Sequence, residues 1–105
     1  YGQRVILNEA LALLYAAKKG TLIKKQAMKL TGLTAGTKLT IVAYQNSDTD
    51  RNLEVTIGAT GDTEKTSMGT SVGVTKKYEK TLTTSDDVYI GASNEVYIQT
   101  ITIEE

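Results

Sequence analysis

Lysines are the residues with chemistry to offer in this chain, and they come in groups. Residues 18–25 read KKGTLIKK, so Lys18, Lys19, Lys24 and Lys25 bracket a Gly-Thr-Leu-Ile centre, and Lys76, Lys77 and Lys80 surround Tyr78. An ammonium group is a compact, strongly hydrated point charge that attracts anions without the planar fork of a guanidinium. The chain of 105 residues is nevertheless neutral, with 12 basic and 12 acidic side chains. Neutrality hides a segregation: residues 1–44 hold Arg4 and six lysines against Glu9 alone, while residues 45–105 hold five basic groups against eleven acidic ones. Grouped lysines can raise a local positive potential on a neutral protein.

Catalytic constellations are poorly supplied. There is no histidine, so the commonest general base and metal ligand is missing. There is no cysteine either, which leaves carboxylates alone for a zinc site and gives no disulfide framework. No serine stands three residues before a lysine, so the serine–lysine nucleophile pattern is absent. GATGDTEKT faintly suggests a phosphate loop but lacks the Gly-Lys-Ser/Thr ending, and reads as a flexible hairpin. Carboxylates could form a glycosidase pair, yet Asp48, Asp50, Asp62, Asp86 and Asp87 fall in turns, where aspartate serves the backbone. SDTD at 47–50 could offer oxygens to calcium but lacks a calcium-loop spacing; an Asx-turn beside Arg51 is the plainer reading. The expectation is a chain that is not an enzyme and needs no cofactor or metal.

The elements that must position the lysines are strands. In TKLTIVAY, Leu39, Ile41 and Ala43 alternate with Lys38, Thr40 and Val42, and NLEVTIGA repeats the pattern with Leu53, Val55 and Ile57 inward and Glu54 and Thr56 outward. QAMKLTGL reads as a strand with Met28 and Leu30 on one side, which turns Lys25 and Lys29 outward together. GATGDTEKTSMGTS reads as a loop with a short strand at its end, Val72 and Val74 as the start of the next strand, and Tyr78 and Leu82 as its continuation. DVYIGAS and NEVYIQTITIEE close the pattern as two further strands. The stretch NEALALLYAAKKG is open between a helix, with Asn8 as cap and Gly20 at its end, and a buried strand. Short strands at regular spacing, separated by turn residues, predict one all-β domain over residues 1–105, an antiparallel β-sandwich with jelly-roll-like topology. No apolar run is long enough to span a bilayer and no signal peptide is visible; a first residue of Tyr1 reads as a module cut from a longer chain.

Lysines on a sheet face commonly do no more than solubilise it or block edge pairing. The functional alternative requires the Lys25–Lys29 segment and the Lys76–Lys80 segment to meet in a groove of ammonium groups. Tyr78 shares its parity with Lys76 and Lys80, so the latter segment is either twisted or carries a mixed aromatic and basic face. Nucleic acid is a poor ligand for such a groove, because arginine is scarce and there is no Phe or Trp on which bases could stack. A membrane surface would want a basic amphipathic helix with bulky apolar residues. An acidic polysaccharide fits better, since each uronate carboxylate can accept a charge-assisted bond from an ammonium. Neutral glycans need aromatic platforms, and Tyr1, Tyr15, Tyr44, Tyr78, Tyr89 and Tyr97 are the only aromatic residues.

The stretch GTKLTIVAYQNSDTDRNLEVTIGATGDT, followed by YEKTLTTSDDVYIGASNEVYIQTITIEE, resembles small β-sandwich modules attached to bacterial pectate lyases and related polysaccharide-degrading enzymes. EALALLYAA and AMKLTGL look like the two upstream strands of that pattern. Lysine abundance without tryptophan is most similar to carbohydrate-binding module family 77. That resemblance implies non-catalytic, lysine-mediated binding of weakly esterified homogalacturonan, with Lys25 and Lys80 as leading positions and Lys18, Lys24 and Lys77 behind them. It also implies a secreted, extracellular bacterial setting, a parent multi-modular enzyme as partner, and a monomer. The rival expectation is a spacer or cell-surface adhesin module whose lysines only solubilise. A small lyase using lysine as base is the third.

Overall fold

Eight strands carry the fold: β1 (Arg4–Asn8), β2 (Met28–Leu33), β3 (Lys38–Tyr44), β4 (Asn52–Ile57), β5 (Thr63–Ser67), β6 (Lys76–Thr81), β7 (Asp86–Ala92) and β8 (Tyr97–Glu104). The structure is a computed structural model, and it describes the backbone of residues 4–8 together with residues 28–58, 61–94 and 96–105. The stretch NEALALLYAAKKG, open between helix and strand on sequence grounds, lies outside the described residues apart from Asn8, the last residue of β1.

All pairing is antiparallel, in two four-stranded sheets of order β1-β8-β3-β6 and β2-β7-β4-β5. The pairs nest: β4 with β5, β3 with β6, β2 with β7, and β1 with β8. Folding a chain double in this way and rolling it into two sheets gives a jelly roll, so the expected all-β sandwich is the observed architecture. The polar–apolar period of two builds it on β3, but on β4, an inner strand between β7 and β5, Glu54 and Thr56, expected to face outward, are buried along with Leu53 and Val55. Leu39, Ile41 and Ala43 are fully buried along β3, as are Leu53 and Val55 on β4, Val88 and Ile90 on β7, and Ile98 and Ile101 on β8. These side chains fill the space between the sheets, and each buried Leu or Ile contributes about 1.5–3 kcal/mol relative to exposure. Met68, Leu82 and Val96, just outside the strands, are buried in the same core.

Two local features bend the sheets. Leu30 pairs with Val88 and Leu33 with Asp86, so β2 carries one extra residue between them. Gly32 sits in this bulge at φ 70°, a left-handed conformation that costs a residue with a Cβ about 1–2 kcal/mol. On β8 the register jumps from Thr100 to Ile98 against Val42 and Ala43, which leaves Gln99 unpaired and exposed.

Some strand boundaries differ from those the sequence suggests. β5 lies inside the GATGDTEKTSMGTS stretch and not at its end, because an edge strand needs few apolar residues and TEKTS has none. Val72 and Val74 do not begin β6. They are 61% and 46% exposed, and Gly73 between them at φ 75° breaks the extended backbone, so β6 starts at Lys76. β1 lies ahead of the EALALLYAA stretch read as the first upstream strand.

Candidate ligand-binding site

β6, KKYEKT, is the last strand of its sheet, paired with β3 on one side only. β5 is the last strand of the other sheet, and the two meet along one long edge of the sandwich. Period two sends Tyr78 inward and Lys77 and Glu79 to the outer face. Lys76 and Lys80 share the parity of Tyr78, and at the open edge their ammonium groups reach past the core to solvent. The mixed aromatic and basic face is therefore a rim, with the phenol inside it.

Lys80 is tied into that rim. Its Nζ lies 3.3 Å from Oε2 of Glu64 on β5, and the Tyr78 hydroxyl donates to Oε1 of the same carboxylate at 2.6 Å. Glu64 thus clasps one sheet edge to the other. The bond from Tyr78 chiefly, with Lys80 adding to it against some burial, holds the Glu64 carboxyl below the usual carboxylate range. Burial first, then the adjacent Glu64, raise the Tyr78 phenol well above its ordinary value.

Lys77 stands on the outer face beside Lys38, which projects from β3 at the same outward parity. Both approach one atom: Lys38 Nζ is 3.4 Å and Lys77 Nζ 3.7 Å from Oε2 of Glu79. All three side chains are about half exposed. Among the described residues, Lys76 and Lys65 make no ion pair.

Lys29 does not join this cluster. It lies on β2, at the end of its sheet opposite β5, while β6 edges the other sheet beside β5. Its Nζ is 3.4 Å from Asp87 Oδ2 and 5.6 Å from the ring centre of Tyr89. Asp87 Oδ1 accepts the Gly32 N–H at 2.8 Å, so this carboxylate staples the β2 bulge. That N–H bond, followed by Lys29, lowers the Asp87 pKa, and the bond to Asp87 leads the causes that raise that of Lys29. A cleft of about 310 Å³ lies nearby, lined by residues 29–33 with Ile103 and Glu105. The groove expected from a meeting of the β2 and β6 segments is therefore not formed by the described lysines. Lys18, Lys24 and Lys25 lie outside the described residues.

Two further features escaped sequence reasoning. Lys38 is visible as an outward residue of an alternating strand, but its proximity to Lys77 depends on the β3–β6 register. Tyr44 and Tyr97 are register partners across β3 and β8, with ring centres 5.5 Å apart and planes within 15°. The signal for that pair was a tyrosine at the end of one strand and the start of another. In the 45–51 loop, Thr49 N–H donates to Ser47 Oγ at 3.2 Å and Asp50 Oδ1 accepts from Ser67 at 2.8 Å, the bonding of a structured turn. Among the described residues no three His, Cys, Asp or Glu side chains group to hold a metal ion, and no helix is long and apolar enough to cross a membrane.

The jelly roll and its lysine-bearing edge define this chain as far as its architecture goes. No protein-family model matches the chain, and no curated protein matches it.

Proposed function

We propose that this domain is a non-catalytic carbohydrate-binding module that captures acidic plant cell-wall polysaccharide, low-esterified homogalacturonan, through surface lysines. The observation that supports the reading most is the gathering of lysines along one sheet edge, with Lys38 and Lys77 on the outer face of β3 and β6 and Lys76 and Lys80 on the rim beside Tyr78. Ammonium groups held on a β-scaffold meet the recurring carboxylates of a uronate chain without ordering a loop first. The resemblance of the sequence to carbohydrate-binding module family 77 points to the same ligand, and Lys18, Lys24 and Lys25 belong to the proposal on that ground. Attached to a secreted bacterial enzyme, a monomeric module of this kind would raise the local concentration of the catalytic domain on its substrate.

Electrophoresis through gels containing low-ester or high-ester pectin tests the proposal. Methyl esterification removes the uronate charge, so retardation should be strong in the first and weak in the second. It should fade with salt, because exposed charge pairs are screened within about 10 Å at 0.1 M. Equal retardation in both gels would overturn the reading.

One observation favours the alternative, a spacer or adhesin module. Lys29, Lys38, Lys77 and Lys80 each lie within 4 Å of a carboxylate of this same chain, as lysines that only solubilise or staple often do. That alternative predicts no lost glycan affinity on replacing Lys77 and Lys80 by alanine.

A further inference from the structure

From the geometry around Glu79 we infer that Lys38 and Lys77 form a two-ammonium carboxylate receptor, in which Glu79 is a built-in competitor for the ligand. The inference rests on the acidic-polysaccharide reading above and deepens it by naming the residues at which one uronate carboxylate is held and the residue that weakens its capture.

The ion pairs among the described residues differ in kind. At Glu64 and at Asp87 one lysine meets one carboxylate, so the pair is neutral, and a second donor also holds each carboxylate: the Tyr78 hydroxyl in the first case, the Gly32 N–H in the second. Those carboxylates serve the fold, clasping two sheet edges and stapling a bulge. At Glu79 two lysines meet a single oxygen, and no hydroxyl or backbone N–H is bonded to it among the described residues. The three side chains together therefore carry one positive charge, and Glu104, the register partner of Lys38 on β8, is the next acidic group on that face.

Sharing one oxygen also fixes how close the two nitrogens are. They can be no farther apart than their distances of 3.4 and 3.7 Å to Glu79 Oε2 laid end to end, a separation that one carboxylate can bridge. The pair is presented on paired strands, so its spacing is set by the β3–β6 register of Lys38 opposite Thr81 and Val42 opposite Lys77. Lys38, Lys77 and Glu79 are 50%, 57% and 44% exposed, so an incoming carboxylate can reach both ammonium groups from solvent. A ligand carboxylate either displaces Glu79 or joins it across the two cations. In both cases Glu79 lowers the affinity by competition or by like-charge repulsion.

The test compares the wild-type chain with Glu79→Gln, Lys38→Ala and Lys77→Ala, titrated calorimetrically with a defined oligogalacturonate at low and at moderate salt. Glu79→Gln should bind about two- to fivefold more tightly, the scale of an exposed charge interaction, and each lysine variant should bind more weakly by a similar factor. Glu79→Gln affinity equal to or below wild type, or unchanged affinity in both lysine variants, overturns the receptor. Those outcomes leave the polysaccharide reading standing if wild type binds. Absence of oligogalacturonate binding by wild type overturns both. The three side chains are exposed, so thermal melts of the variants should match wild type and separate lost binding from lost fold.

Discussion

The Tyr78 hydroxyl donates a 2.6 Å hydrogen bond to Glu64, and this bond joins the last strand of one sheet to the last strand of the other. Neighbouring strands elsewhere are held by backbone ladders, but along this edge the sheets face each other through side chains. Removing only the hydroxyl, in Tyr78→Phe, should lower stability by about 1.5 kcal/mol, as expected for a bond to a charged acceptor. Lys80→Ala should cost less, below about 1 kcal/mol, because its ion pair is exposed to solvent. Urea unfolding of the two variants orders them; the reverse order would mean that the ion pair and not the phenol closes the edge.

Acid should weaken the fold through Glu64 and Asp87. Both carboxyls are held below their ordinary range when folded, Glu64 first by Tyr78 and Asp87 first by the Gly32 N–H. A depressed folded pKa gives a contribution that is complete above the unfolded value, about 4, and disappears as pH falls through the folded value. Melting temperature should therefore decline below about pH 4, with a shallower decline in Glu64→Gln.

Alkali acts with the opposite sign on Tyr78 and Lys29. Their folded pKa values are raised, Tyr78 by burial first and Lys29 by its bond to Asp87 first. Their contributions are complete below the unfolded values, about 10, and are lost as pH climbs toward the folded ones. Melts between pH 9 and 12, on roughly the scale of those titrations, should show the loss beginning near pH 10, with less of it in Tyr78→Phe.

Gly32→Ala tests the bulge. A Cβ at this position would meet no atom within 4 Å, so the whole cost is torsional, from φ 70°. The expected loss is about 1 kcal/mol, and Gly32→Asn should lose less because asparagine tolerates the left-handed region. Thermal unfolding of the two variants reads the difference.

Gln45 is fully buried, donates from Nε2 to the Gly69 carbonyl at 2.8 Å and accepts the Ser47 N–H. Its own carbonyl accepts the Gly73 N–H at 2.8 Å. Gln45→Ala should cost about 2 kcal/mol by leaving the half-buried Gly69 carbonyl and Ser47 N–H unmet. Limited proteolysis should then cut the 68–75 loop faster than in wild type, and unchanged cleavage would contradict this tie.

Architecture was legible in the sequence because it depends on local alternation. Leu39, Ile41 and Ala43 announce both a strand and its buried face without reference to any neighbour, whereas Leu53 and Val55 announce a strand but not that Glu54 and Thr56 between and beside them are buried as well. TEKTS did not announce itself, because β5 has no apolar residue and takes its extended form from the partner strand β4. The charged site was legible only in part. Parity left the Lys76–Lys80 segment open between a twist and a mixed aromatic and basic face, and which carboxylate meets which lysine depends on strand order. Glu64 reaches Tyr78 between sheets, and Glu79 receives Lys38 only because β3 pairs with β6. Lys29 stands between Met28 and Leu30 and Lys80 between Glu79 and Thr81, and neither setting tells that the topology sends the two lysines to opposite edges.

The nested pairing also dictates the order in which the chain can be completed. The hairpin of β4 and β5 closes over a few residues, whereas Arg4 waits for Glu104. Each outer layer adds a longer loop closure than the one within it, and topologies dominated by such distant contacts acquire their native form in milliseconds to seconds. On the ribosome β1 is made first and paired last, so until translation passes β8 its hydrogen-bonding edge must be kept from other chains.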